Sequence, residues 1–134
     1  MLKRDFKKNE IEVVKIYNAE ITEIMANSRE MMQVFINIIL NAVDSMDKGG
    51  RLLIEIDSKF DDGKNWLSVS FEDTGYGISE NKLNEIFARY YTTKSAGTGL
   101  GLAIVERIVS VHNGMISVKS QVGKGTKFVV DLPI

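Results

Sequence analysis

Two carboxamides, Asn37 and Asn41, stand four residues apart inside the otherwise apolar run from Val34 to Val43. Residues at that spacing share one face of a helix, and an amide oxygen is a hard, uncharged ligand that can meet a Mg²⁺ ion carried by a nucleotide. Two glycine-punctuated segments follow, Asp73-Thr74-Gly75-Tyr76-Gly77 and Gly97-Thr98-Gly99-Leu100-Gly101. Without a Cβ in the way, backbone there can approach phosphate closely. The second cluster immediately precedes a helical pattern, so its free amides would lie at a positive dipole end, a ready anion site. Thr92, Thr93 and Lys94 come just before it, adding two hydroxyls and an ammonium. Asp73 ends an apolar strand pattern, and a carboxylate there could accept a hydrogen bond from an exocyclic amino group, which adenine has and guanine lacks at that edge.

Each feature also has a plainer explanation. The amides could be satisfied by neighbouring backbone, Asp73 could close an Asx turn, and Lys94 could be a solvated side chain. Two amides buried without partners would cost roughly 1–3 kcal/mol each. The nucleotide reading therefore places Asn37 and Asn41 on a partly exposed cleft wall. In combination the motifs point to an ATP-binding phosphotransfer domain.

The elements that must position these residues fit one domain. At 134 residues and 44% hydrophobic, the chain has the length and the apolar content for a single core. Its net charge of −1 gives no general attraction to nucleic acid or to an anionic membrane. No apolar stretch approaches the roughly 18–20 residues that span a bilayer, and the start is not a secretory signal, so a cytoplasmic location is expected. With no cysteine and one histidine, any metal must be held by oxygen.

Residues 1–9 are basic and aperiodic and read as a connector from a further domain, with 10–134 as the functional unit. Residues 10–17 and 20–26 read as short strands around a turn at Asn18. A helix follows, capped by Asn27 or Ser28 and stopped by Gly49-Gly50. Its apolar face is Met31, Val34, Phe35, Ile38, Ile39, Ala42, Val43 and Met46, and its polar stripe is Gln33, Asn37, Asn41, Asp44 and Lys48.

Residues 51–58 and 66–72 alternate as a hairpin around Asp61-Asp62-Gly63. Ser79 and Glu80 start a short helix ending near Arg89, with Leu83, Ile86 and Phe87 on its apolar side. Residues 90–98 read as a mobile loop. A third helix begins at Gly99 and closes at Asn113-Gly114, where the dipole would favour a cationic His112 in a structural role. A last hairpin, 115–119 and 126–132, turns at Gly123-Lys124-Gly125. The order predicts an α/β two-layer sandwich, a mixed and mostly antiparallel sheet of about five strands packed on three helices. Trp66 and the tyrosines read as packing residues, since no basic stripe accompanies them.

These motifs in this order resemble the catalytic ATP-binding domain of sensor histidine kinases, within the superfamily of gyrase, chaperone, histidine kinase and mismatch-repair ATPases. Asn37-Ile38-Ile39-Leu40-Asn41-Ala42 looks like the Asn box, Asp73 to Gly77 like the first glycine box, and Ile86-Phe87 through Lys94 like the Phe box. Gly97 to Leu102 looks like the second glycine box, followed by His112-Asn113-Gly114 and the closing Gly123-Lys124-Gly125-Thr126 with Phe128 to Pro133.

The resemblance implies Mg²⁺-ATP held between the Asn helix and a flexible lid spanning about 79–97. It implies Asn41 as the Mg²⁺ ligand and Asn37, Asn41 and Lys94 as the residues of catalysis. Nucleotide contacts would come from Asn41, Asp44, Asp73, Gly75, Gly77, Ile78, Tyr91, Thr92, Thr93, Lys94, Gly97, Thr98, Gly99, Leu100, Gly101, Leu102 and Thr126. Where the ATPase branches carry a water-activating Glu, this chain has Asn37, and an amide cannot take a proton at neutral pH. That disfavours hydrolysis and favours transfer to another nucleophile.

Two departures from the family pattern stand out. Asp44 and Ser45 replace a common basic and aromatic pair, which shifts phosphate neutralisation to Lys94 or Lys48, and Ala88-Arg89-Tyr90 lacks the usual Pro. The implied partners are a histidine-bearing helical dimerisation domain and a response regulator, with no nucleic acid, no direct membrane insertion and a monomeric isolated domain. The implied activity is protein histidine kinase, against the alternatives of an anti-sigma-type serine kinase or an ATP-binding switch module.

Overall fold

The computed structural model describes residues 10–19, 26–46, 49–83, 85–86 and 101–134. Within them five strands form one sheet in the order β1-β2-β3-β5-β4: β1 (Glu12–Tyr17), β2 (Arg51–Asp61), β3 (Lys64–Asp73), β4 (Met115–Gln121) and β5 (Gly125–Pro133). Only β1 and β2 are parallel; every other neighbouring pair is antiparallel. Three helices, α1 (Ser28–Ser45), α2 (Glu80–Leu83) and α3 (Gly101–Val111), complete the expected sandwich.

Local chemistry explains most of the elements. Asn27 caps α1, its side-chain oxygen accepting the Glu30 N–H at 3.0 Å. The helix ends at Ser45, before the expected stop at Gly49-Gly50, because Met46 turns extended (φ −108°, ψ 130°) and drops its side chain into the core. As the crossover between β1 and β2, α1 supplies the long connection that a parallel pair requires.

Asp62 (φ 49°) and Gly63 (φ 75°) both take positive φ, which matches the two-residue turn that right-twisted strands prefer. The hairpin it joins is longer than expected, pairing from Leu52↔Asp73 to Asp61↔Lys64. Regular helix after Ser79 covers only Glu80–Leu83, shorter than the run to Arg89 read from the sequence. The proposed strand at 20–26 and the loop at 90–98 fall wholly or almost wholly outside the described residues.

At the end of α3 the left-handed residue is Asn113 (φ 61°), not the glycine after it. The Gly114 N–H reaches the Val109 carbonyl at 2.9 Å and the Asn113 N–H reaches Ser110 at 3.0 Å, a paired closure of the last turn. Gly114 is needed for space instead, since a Cβ there would lie 2.6 Å from the Asp131 carbonyl oxygen.

The core lies between the helices and one sheet face. Val34, Ile38 and Val43 of α1 and Val105 and Val109 of α3 meet Leu52, Val69, Phe71, Phe128, Val130 and Leu132 of the sheet. Fully burying each such side chain contributes roughly 1.5–3 kcal/mol. Phe35 tilts against Phe71 at a centroid distance of 5.7 Å.

Candidate nucleotide site

On the helix-facing side of the sheet, inward residues run in rows across β3, β5 and β4. One row is Val69, Val130 and Ile116, and the next is Phe71, Phe128 and Val118. By the same alternation, the last row is Asp73, Thr126 and Ser120. A polar row thus closes an apolar sheet face, and two of its members, Asp73 and Thr126, are buried.

The Asp73 Oδ1 atom accepts the Gly75 N–H at 2.9 Å and the Thr126 N–H at 3.2 Å. Burial raises the Asp73 pKa, while those two amides and the Ser45 hydroxyl oppose the rise by favouring the carboxylate. The surrounding glycines are set by protein packing. A Cβ on Gly75 would collide with the Ser45 hydroxyl, one on Gly77 with the Gln121 carbonyl, and one on Gly125 with the Asp73 carbonyl. At positions 75 and 77 the structure therefore supplies a reason for glycine other than close approach to phosphate. Ile78 is half-buried against the core and donates its N–H to Ser120 Oγ at 2.7 Å.

The polar stripe of α1 connects this end of the sheet to the start of α3. Gln33, Asn37, Asn41 and Ser45 follow one another at intervals of four, so they line one side of the helix. Ser45 donates to the Ala42 carbonyl at 2.8 Å and packs against Gly75 beside Asp73, and the Asn37 amide nitrogen donates to the Gly101 carbonyl at 3.2 Å while its oxygen accepts from Gln33 at 2.8 Å. Between them Asn41 is half-buried, and its side chain hydrogen-bonds to no other described residue. Asn37 and Asn41 therefore stand on a partly exposed wall, as the spacing requires. At 1.5 Å per residue, Asn37 to Ser45 spans about 12 Å, comparable to the reach from base to phosphates in a nucleotide.

Gly101 opens α3, and among the described residues a Cβ there would have only Asn37 Nδ2, at 4.0 Å, as a neighbour. Leu102 packs half-buried against the core, and Asp44 is exposed on the helix with a partner of its own. The remaining expected contacts, Tyr91, Thr92, Thr93, Lys94, Gly97, Thr98, Gly99 and Leu100, lie outside the described residues, as do Lys48, residues 1–9 and most of the expected lid.

His112 holds the far ends of the same two helices together. Its Nε2 accepts the Asn27 N–H at 3.1 Å, so its Nδ1 is the atom that donates to the Ile108 carbonyl at 2.8 Å. These two bonds give His112 a structural role between the helices. Sequence reasoning also missed Ser45 and Ser120. The available signal was a polar side chain at an inward position, as in the alternation Ile116, Val118, Ser120.

The described residues offer groups that suit an adenine nucleotide. Among the described residues, the site offers an acceptor carboxylate at one end, the half-buried carboxamide of Asn41 in the middle and the start of α3 at the other. Comparison with known proteins agrees. Residues 26–134 match the family model described as histidine kinase-, DNA gyrase B- and HSP90-like ATPase.

The chain is 35% identical over 134 residues to sensor histidine kinase ZraS of Salmonella typhi, and 39% identical over 115 residues, 86% of its length, to sporulation kinase E of Bacillus subtilis. It spans 28% of the first relative and 15% of the second. Among solved structures, the catalytic domain of histidine kinase ThkA superposes with a TM-score of 0.86 at 27% identity, covering 98% of this chain and 84% of that one. Full-length ShkA in complex with AMPPNP gives 0.82 at 26% identity, covering 98% of this chain and 27% of that one. The polar row, the carboxamide stripe and the matched sequence together make this chain a member of the histidine kinase-, gyrase B- and HSP90-like ATPase family, on the histidine kinase side of it.

Proposed function

We propose that the chain binds Mg²⁺-ATP and supplies the γ-phosphoryl group to a histidine on a separate helical dimerisation domain, the first step of two-component signalling. The observation that carries this reading is the α1 stripe, which joins the buried Asp73 to the start of α3 with Asn41 between them. Asp73 receives the adenine amino group, and Asn41 holds Mg²⁺. The backbone from Gly99 to Leu102, with Thr92, Thr93 and Lys94, holds phosphate. Bound Mg²⁺-ATP supplies the transferable group, and this chain's residues orient it and neutralise its charge, which is the chief demand of phosphoryl transfer.

Asn37 sits where the ATPase branches place a general base, but its oxygen and nitrogen are already engaged by Gln33 and Gly101. It holds α3 against α1 and activates no water. The partners are the dimerisation domain and a response regulator. The domain works in the cytoplasm and is monomeric when isolated, and no helix among the described residues is long and apolar enough to cross a membrane.

The test has two arms. Calorimetry with Mg²⁺-ATP should show binding that Asn41→Ala weakens about tenfold or more, the loss expected on removing one ligand. Labelled ATP with a supplied histidine helix pair should yield an acid-labile phosphoprotein. An acid-stable product would identify a serine kinase instead, and rapid multiple-turnover hydrolysis by the chain alone would overturn the assignment.

A further inference from the structure

Ser120 is a half-buried hydroxyl with a full set of neighbours. It accepts the Ile78 N–H at 2.7 Å, lies 2.9 Å from the Gly125 carbonyl oxygen and lies 2.8 Å from Thr126 Oγ1. A hydroxyl has one proton and two lone pairs. The carbonyl can only accept, so satisfying it commits the Ser120 proton to Gly125. The contact with Thr126 must then be made by the Thr126 proton. In this arrangement Ser120 donates once and accepts twice, and none of its capacity is left over.

The consequence falls on Thr126. With its proton turned to Ser120, Thr126 Oγ1 has only lone pairs to offer anything beside it. Its neighbour in the row, Asp73, holds Oδ1 against two backbone N–H groups and as a carboxylate is also acceptor-only. The side chains of this row therefore present acceptors and no free donor of their own. Such a wall suits a ligand edge that donates, and it leaves a carbonyl at the same place unpaired.

We propose that Ser120 is a positioning residue for base recognition: by taking up the Thr126 proton it keeps the wall beside Asp73 acceptor-only, and so selects a 6-amino purine over a 6-oxo purine. This rests on the reading of the site as an adenine nucleotide site. Removing the Ser120 hydroxyl frees the Thr126 proton to turn toward the ligand, where it can meet an oxo group. Discrimination should relax, and it should relax through Thr126.

The experiment is calorimetric titration of the chain with Mg²⁺-ATP and Mg²⁺-ITP, comparing wild type with Ser120→Ala, Ser120→Cys and Ser120→Thr, each checked for folding by thermal melting. Wild type should prefer ATP, and Ser120→Ala should lower the ATP-to-ITP affinity ratio about tenfold, the value of one hydrogen bond exchanged for a mismatch. Ser120→Cys, which keeps the shape with a poorer acceptor, should fall between, and Ser120→Thr should restore the ratio. In a Thr126→Val background, Ser120→Ala should leave the ratio unchanged.

A packing role alone would lower the melting temperature of Ser120→Ala but leave the ratio intact. A ratio unchanged within twofold in Ser120→Ala or, should that variant not fold, in Ser120→Cys overturns the proposal. So does a ratio that Ser120→Thr fails to restore. Failure of wild type to bind either nucleotide would instead overturn the reading of the site itself.

Discussion

Asp73 is held as a buried carboxyl group at the expense of stability. Burial holds its pKa above the ordinary carboxylate value, so the folded state keeps a proton at pH values where the unfolded chain has lost it. Unfolding then releases that proton, and stability falls as pH rises from about 4 through the raised pKa. With Asp73 as the proposed adenine acceptor, nucleotide binding should have the opposite slope, because an amino donor favours the ionised form. Asp73→Asn keeps an oxygen for the Gly75 and Thr126 amides but removes the charge. It should weaken ATP about tenfold to a hundredfold, as expected for losing a charge-assisted hydrogen bond, without lowering the melting temperature at neutral pH. Calorimetry and thermal melts on one preparation check both, and a variant that melts lower with ATP affinity intact would contradict the argument.

At the scale of elements, the helix ends decide where the site residues stand. His112 receives the amide that begins α1, so His112→Ala should cost about 0.5–1.5 kcal/mol for one partly exposed hydrogen bond. Asn113 occupies the left-handed position, where a β-branched residue is penalised by roughly 1–2 kcal/mol. Denaturant unfolding should therefore rank Asn113→Gly at or above wild type and Asn113→Val below it. Gly125→Ala should be the most damaging of this set, since its Cβ would strike the Asp73 carbonyl and its φ is 129°.

The same elements show what the sequence could reveal. The apolar and polar sides of α1, its Asn27 cap and the Asp62-Gly63 turn were all legible, because periodicity, capping and turn chemistry act over a few residues. The end of α1 was not, because Met46 leaves the helix for a place in a core that local pattern cannot display. Nor was the division of labour between Asn113 and Gly114, which depends on Asp131, distant in the chain.

For the molecule as a whole, the fold class and the family motifs could be read in advance, and the long-range order of the sheet could not. Nothing in the spacing of β3 and β5 announces that Val69 lies opposite Val130, and Ser120 gains its meaning only from that adjacency. Binding should stabilise the entire domain by mass action. At ATP a hundredfold above its dissociation constant, the gain is about 2.7 kcal/mol, checked as a rise in melting temperature that shrinks in Asp73→Asn to the equivalent of about 0.4–1.4 kcal/mol at the same ATP concentration.

Up to Ile86 the described chain builds β1, β2, β3, α1 and α2, and from Gly101 onward it builds α3, β4 and β5. The β3/β5 pairing and the bonds Asn27–His112, Asn37–Gly101, Asp73–Thr126 and Ile78–Ser120 all cross between these two portions. The proposed ligand therefore sits astride a suture. Supplied as two separate polypeptides, the portions should reassociate by complementation, and Mg²⁺-ATP should tighten that reunion by holding both lips of the wound at once.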